Sequence, residues 1–243
     1  IADISPIDIH PTWLGAHDVP RGMNKDDYVE ELISEQLPKV ASQGISKWAD
    51  VFCEPGWFDL VETEDIIKAA NEYGLQSRLH VDEFVDSDGL SLAADLGSVS
   101  ADHVAHSNHE ARNLASKSGT MQTFLPGTPY VMGTKEYPPI ADCIENRWAF
   151  SLASDFNPNC NSLSIPFVGS LAAHRCDIDP ISALSAVTRN PSTTLGYGGS
   201  NPVGTLSNGS HANLNILISE TVDLWCQTPG MNPISATVVR GIL

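Results

Sequence analysis

Short apolar runs alternate with amphipathic stretches along this chain. The runs PTWLGAH (11–17), WADVFCE (48–54), LQSRLHVDEF (75–84), SADHVAH (100–106), TMQTFLPG (120–127) and AFSLASDFNP (149–158) read as strands. Between the first two, residues 26–42 carry Tyr28, Leu32, Ile33 and Leu37 at helical spacing. Residues 62–74 have a threonine-led start, an acidic first turn and a glycine stop, and 88–97 and 109–119 also end in glycine, as helices do. Residues 143–148 lead into the sixth strand, and DPISALSAVTRNPSTTLG (179–196) predicts one further helix. Residues 198–218 and 236–243 predict turns and strands. Strands at this rhythm, each followed by a helical or loop crossover, imply parallel βα units.

Polar residues gather where the runs end: His17, Glu54, His80, Glu83, His103 and Asp155. Polar groups at strand C-termini are the mark of the active face of a (β/α) barrel. A doubly wound open sheet would share that feature, but its glycine-rich phosphate loop is missing. The expected fold class is therefore α/β, a TIM-like (β/α)8-type barrel over residues 1–197, with 198–243 forming part of a small β domain.

Composition narrows the chemistry. The net charge is −17, from 30 acidic and 13 basic residues, a balance that repels phosphate backbones and excludes nucleic acid as a partner. No apolar run has the length of a membrane span, and no leader-like segment precedes a small-residue cleavage site. The five cysteines are widely spaced with no C-x-x-C pair, so a disulfide framework is not expected and a reducing cytoplasm is. The expected partner is a small-molecule substrate, with no membrane; a homodimer is compatible with the reading.

His80, His103 and Asp155 stand at three different strand ends, which a barrel would bring together. Neutral imidazole is a good ligand for zinc or ferrous iron, and a carboxylate completes such a set. Glu83, three residues past His80, could reach the same cavity and shuttle protons. Each residue alone has a plainer reading: a strand-end histidine as a hydrogen-bonded structural residue, Asp82 and Glu83 as a solvated turn, Asp155 as the start of an Asx turn. The joint pattern at successive strand ends points to catalysis.

Several segments, in order, resemble the imidazolonepropionases of the metal-dependent amidohydrolase superfamily. They are TWLGAHDVP, DVFCEPGWF, LHVDEF, SADHV, FLPGTPY, ASDFNP and AVTRNPSTTLG, and the resemblance they carry extends over nearly the whole chain. The resemblance implies a distorted barrel with a small β-sandwich, one divalent metal (zinc or iron), and hydrolysis of 4-imidazolone-5-propanoate to N-formimino-L-glutamate by metal-activated water. It implies His80 and Asp155 as metal ligands, Glu83, His103 and Asp155 as catalytic residues, and His17, Glu83 and Asn157 as substrate-binding residues. The sequence departs from the family pattern in three ways. It has no H-x-H pair, so that it reads as the C-terminal two-thirds of such a protein. The loop DFNPNC carries Asn159 and Cys160 where the family has glycine and a hydroxyl residue. GSHANL carries Ser210 and Asn213 in place of lysine and aspartate. A related ring amidohydrolase or aminohydrolase, or a truncated barrel serving as a non-catalytic interaction module, are the alternatives these departures raise.

Overall fold

The computed structural model describes residues 2–197 and 202–243. The chain divides into two compact units, Ile9–Gln122 and Ile1–Asp8 with Thr123–Leu243. The expected turns at 198–201 lie outside the described residues.

In the unit Ile9–Gln122, strands β1 (Thr12–Ala16), β2 (Trp48–Cys53), β3 (Gln76–Val81) and β4 (Ser100–His103) lie side by side in chain order, all parallel. The next strand, β5 (Met121–Phe124), begins here, with the Met121 N–H bonded to the Val99 carbonyl. Period-two alternation explains the sheet's two faces. Ala49, Val51, Cys53, Leu79, Val81 and Ala101 are buried apolar positions. The intervening positions Asp50, Phe52, Arg78, His80, Ser100 and Asp102 form the opposite face, where the polar side chains stand.

The helices of this unit follow the sequence pattern with two corrections. The predicted helix over 26–42 is α1 (Lys25–Glu31) and α2 (Leu37–Gln43) joined by a π-type segment, Leu32–Gln36. Pro38 is the cause: its ring would clash with the carbonyl four residues back. The wider turn, in which Leu37 N–H reaches the Leu32 carbonyl, relieves that clash. Helix α3 (Leu60–Glu72) starts before the expected threonine, because Asp59 caps it and Glu62 returns a bond to the Asp59 N–H. Helices α4 (Gly89–Asp95) and α5 (His109–Ser118) complete the unit, α5 capped by the Asn108 side chain.

In the other unit, Thr123 and Phe124 of β5 run beside β6 (Phe150–Leu152), through the Thr123–Ser151 hydroxyl contact of 2.9 Å and the Ala153 N–H on the Phe124 carbonyl. The strand predicted over 149–158 is only three residues long, and the chain leaves it for a loop in which Asp155 takes a left-handed φ of 53°. Helices α6 (Gly127–Met132), α7 (Ile140–Glu145) and α8 (Ile165–Arg175) follow. The single helix predicted over 179–196 is two, α9 (Pro180–Val187) and α10 (Arg189–Thr194), broken at Thr188. Pro191 has no N–H to give to the Val187 carbonyl, so the ladder cannot continue. β7 (Leu214–Leu217) and β8 (Ile234–Val238) form an antiparallel pair. No helix among the described residues is long and apolar enough to cross a membrane.

Candidate active site

Four of the sequence-predicted site residues, His17, His80, Glu83 and His103, come together in the unit Ile9–Gln122. His17 follows β1, His80 lies in β3, Glu83 follows β3, and His103 ends β4. The His17 and His80 rings meet edge-on with centroids 4.7 Å apart, and His80 and His103 lie 5.3 Å apart. His103 Nε2 stands 3.6 Å from Glu83 Oε2, just beyond hydrogen-bond range. Burial and the neighbouring His80 push His103 well below the ordinary imidazole range, so its ring is neutral at pH 7.

A fifth residue, missed in the sequence reading, joins them. Asp50, only 2 % exposed, accepts from or bridges to His80 Nδ1 at 2.9 Å and His17 Nε2 at 3.2 Å through the same Oδ1. Burial works to raise this carboxyl, but His80 and His17 overcome it and hold it well below the usual carboxylate range. The signal was available: a charge between two apolar residues in the middle of WADVFC has no ordinary place in a strand buried on both faces.

The backbone around these residues is held in unusual conformations. Asp82, His103 and Val104 have φ of 52°, 72° and 44°. A β-branched residue such as Val104 rarely adopts this region. Arg112, buried in α5, donates to the Val104 carbonyl and to Gln122 Oε1, fixing the turn that carries His103. Asp82 is fully buried, contrary to the solvated-turn alternative, and its carboxylate gathers the loop after Glu83. Beyond the histidines lies an aromatic wall: Phe52 against Trp57 at 4.9 Å, Trp57 stacked on Phe84 at 5.9 Å, and His17 stacked on Phe52 at 6.0 Å.

Glu54, at the end of β2, anchors Glu83 by accepting its backbone N–H on Oε1. Its other oxygen is buried with no hydrogen-bond partner. Burial raises its carboxyl from 4.5 to about 7, an effect that the Glu83 and Phe84 N–H groups only partly oppose. The folded state therefore binds this proton more tightly than the unfolded chain does. The stability it contributes is complete below about pH 4.5 and is lost as the pH rises through 7. A shift of that size corresponds to about 3 kcal/mol. Glu54→Gln keeps the acceptor and removes the titration. Its urea midpoint is expected to match the wild type near pH 5 and exceed it at pH 8; equal midpoints at both would reject the assignment.

The remaining two predicted site residues belong to the other unit. The Asp155 carboxylate accepts from the Thr128 hydroxyl and, at 2.9 Å, from Asn157 Nδ2. Asn157 Oδ1 accepts the N–H groups of Asn159 and Cys160 at 2.7 and 3.0 Å, so the Asx-type turn here is made by Asn157 rather than by Asp155. The Cys160 thiol is buried and held up by that burial and by Asp155.

The donor chemistry fits a divalent cation: ligand atoms of His17, Asp50 and His80 all lie within 4.8 Å of one another. Two imidazoles and a carboxylate are a set that zinc and ferrous iron both accept.

No protein-family model matches the chain. Curated relatives do. An imidazolonepropionase of Haloarcula marismortui is 36% identical over 215 residues, 88% of this chain and 50% of the relative. One of Bacteroides fragilis is 35% identical over 240 residues, 98% of this chain and 57% of the relative. The chain thus spans little more than half the length of these relatives. Among solved structures, an adenosine deaminase from Xanthomonas campestris with bound zinc aligns with a TM-score of 0.68 at 15% identity, over 93% of this chain and 59% of that one. A guanine deaminase from C. acetobutylicum aligns with a TM-score of 0.67 at 14% identity, over 96% and 64%. At that identity the likeness establishes the fold, the α/β barrel type of these hydrolases.

Proposed function

Over the part of its relatives that it spans, the chain belongs to the imidazolonepropionase family, and on that premise we propose that the longer protein hydrolyses 4-imidazolone-5-propanoate to N-formimino-L-glutamate, a step of histidine breakdown. The observation that carries the reading is the convergence of His17, His80, His103 and Glu83 beside an aromatic wall. In this reading residues 1–197 belong to the barrel and 198–243 to a small β domain. The setting is the cytoplasm, where the five cysteines, all free and buried, would stay reduced.

His80 and Asp155 would hold the divalent metal, zinc or iron. Bound there, such an ion supplies Lewis acidity and makes solvent a better nucleophile at neutral pH. The residues then divide the work. Glu83 takes a proton from the attacking water as it adds to the ring carbonyl carbon. It returns that proton to the ring nitrogen as the carbon–nitrogen bond breaks. His103, kept neutral, donates a hydrogen bond to the oxyanion that develops at the carbonyl. Asp155 assists in the proton transfer, and His17 and Asn157 orient the substrate. Phe52, Trp57 and Phe84 present flat faces suited to a planar ring.

The test is direct. The longer protein should contain about one metal per chain and should consume the imidazolone in a spectrophotometric assay. His80→Ala should lose both metal and turnover. A protein with neither metal nor turnover rejects the proposal. Asn159 and Cys160 favour a second reading, a related cyclic amide or amino-substituted ring as substrate. A panel of ring substrates decides it: preference for the imidazolone eliminates the second reading.

A further inference from the structure

We infer that Glu54 is a positioning residue: its carboxyl holds the peptide groups on either side of Glu83 and so aims the carboxylate that carries the proton. The inference rests on the proposed function in taking Glu83 as the proton carrier. Glu54 otherwise has no task in that reaction.

The parallel ladder between β2 and β3 ends at the pair Cys53 and Val81. Asp82, with its φ of 52°, then swings the chain off the strand. Past that point the N–H groups of Glu83 and Phe84 have no strand carbonyl to meet, and both meet the Glu54 carboxyl instead. The peptide plane between Asp82 and Glu83 is held at both ends. Glu54 Oε1 takes its N–H, and the His106 N–H, from the loop between β4 and α5, donates to its carbonyl at 3.0 Å. The plane between Glu83 and Phe84 is held by Glu54 again, at its N–H. The Cα of Glu83 joins these two planes, so its side chain leaves the backbone in a fixed direction. That direction sets the 3.6 Å between Glu83 Oε2 and His103 Nε2. A displacement of about 1 Å in such a site costs about 100-fold in rate. His106 anchors through its backbone, which a side-chain substitution leaves in place; Glu54 anchors through its side chain. Glu54 is only 1 % exposed, and its oxygens meet backbone N–H groups and no side-chain donor. No proton therefore passes directly between it and the Glu83 carboxylate. What it supplies is an acceptor, and a protonated carboxyl, a carboxylate and a glutamine amide all present one at Oε1.

Two variants of the longer protein test this. Glu54→Met keeps the volume and replaces the carboxyl by a thioether, a weak acceptor. Glu54→Gln keeps the acceptor. In Glu54→Met, kcat normalised to bound metal is expected to fall about 10- to 100-fold while KM stays within about threefold of wild type. Glu54→Gln should stay within about threefold of wild type in both. Hydrogen exchange gives a readout independent of turnover. The amides of Glu83 and Phe84 should exchange at least about tenfold faster in Glu54→Met than in Glu54→Gln, with those of β2 and α3 unchanged. Should Glu54→Met fail to fold, Glu54→Asp takes its place with the same expected losses, because its carboxyl falls one methylene short of both N–H groups. A Glu54→Met enzyme with kcat within about threefold of wild type overturns the inference. So does an equal loss in Glu54→Gln, which would make charge rather than the acceptor the working feature, or a loss of kcat without faster exchange at residues 83 and 84. The two proposals fail separately. A wild type that does not consume the imidazolone sinks the function, and exchange at residues 83 and 84 still judges the anchor. Imidazolone turnover that Glu54→Met leaves intact sinks only the role of Glu54.

Discussion

Glu83→Gln in the longer protein is expected to lower kcat by about 1,000-fold while changing KM by less than about threefold. Gln has nearly the same shape and leaves the backbone N–H bond from residue 83 to Glu54 untouched. What it removes is the ability to carry a proton. In the proposed reaction one carboxylate both accepts a proton from water and hands it to the departing nitrogen, so both halves of the step suffer at once. Steady-state kinetics supplies the check, because losing the proton carrier lowers kcat and kcat/KM together and leaves KM near its wild-type value. Metal content should stay at the wild-type level, since Glu83 is outside the ligand set. A raised KM with kcat intact would show instead that Glu83 binds substrate and that another group moves the proton.

Much of this arrangement is legible along the chain, and what is not has identifiable physical causes. Strand ends are legible because parallel βα units put polar residues at one edge of the sheet, and His17, His80, Glu83 and His103 all sit there. Asp50 stands out in its own strand as a charge among apolar residues, but its partners are set by the register of three strands, and no single strand carries that information. Arg112 sits in HEARNLASKSG, where a charged residue reads as part of a solvated helix face. Its burial follows from two acceptors, the Val104 carbonyl and Gln122, that only the folded β4–α5 turn presents. The break at Thr188 was written in the sequence as Pro191, which the single helix expected over 179–196 runs straight through. The helix start at Asp59 was also readable: D-L-V-E is a capping box, overlooked for the threonine that follows.

Asp82 carries the largest stability effect expected of any single side chain near the site. Asp82→Ala should lower the unfolding free energy by about 3–5 kcal/mol. Its carboxylate accepts five hydrogen bonds and is 0 % exposed. The donors are the N–H groups of Ser87, Gly89 and Leu90 and the hydroxyls of Ser87 and Ser107. Truncation leaves the buried donors, the Gly89 and Leu90 N–H groups and the Ser107 hydroxyl, without an acceptor, while half-buried Ser87 can turn to solvent. At Gly89 a Cβ would already come within 2.6 Å of Val81, so the loop packs flush against the strand. Asp82→Asn separates charge from backbone. Asn tolerates the left-handed φ of 52° as well as Asp does, so the turn itself is not penalised. Its amide group, however, points N–H at donors that need an acceptor. The loss should therefore still be about 2–4 kcal/mol, whereas Ser107→Ala, which removes one donor, should cost about 1 kcal/mol. Urea melts at pH 7 give all three values. If Asp82→Asn falls within about 1 kcal/mol of wild type, the carboxylate charge is not what gathers the loop. Because Glu83 is the next residue, the folded fraction of either Asp82 variant of the longer protein should also turn over more slowly. That loss should appear in kcat, since a loosened turn misplaces the proton-carrying carboxylate without removing it.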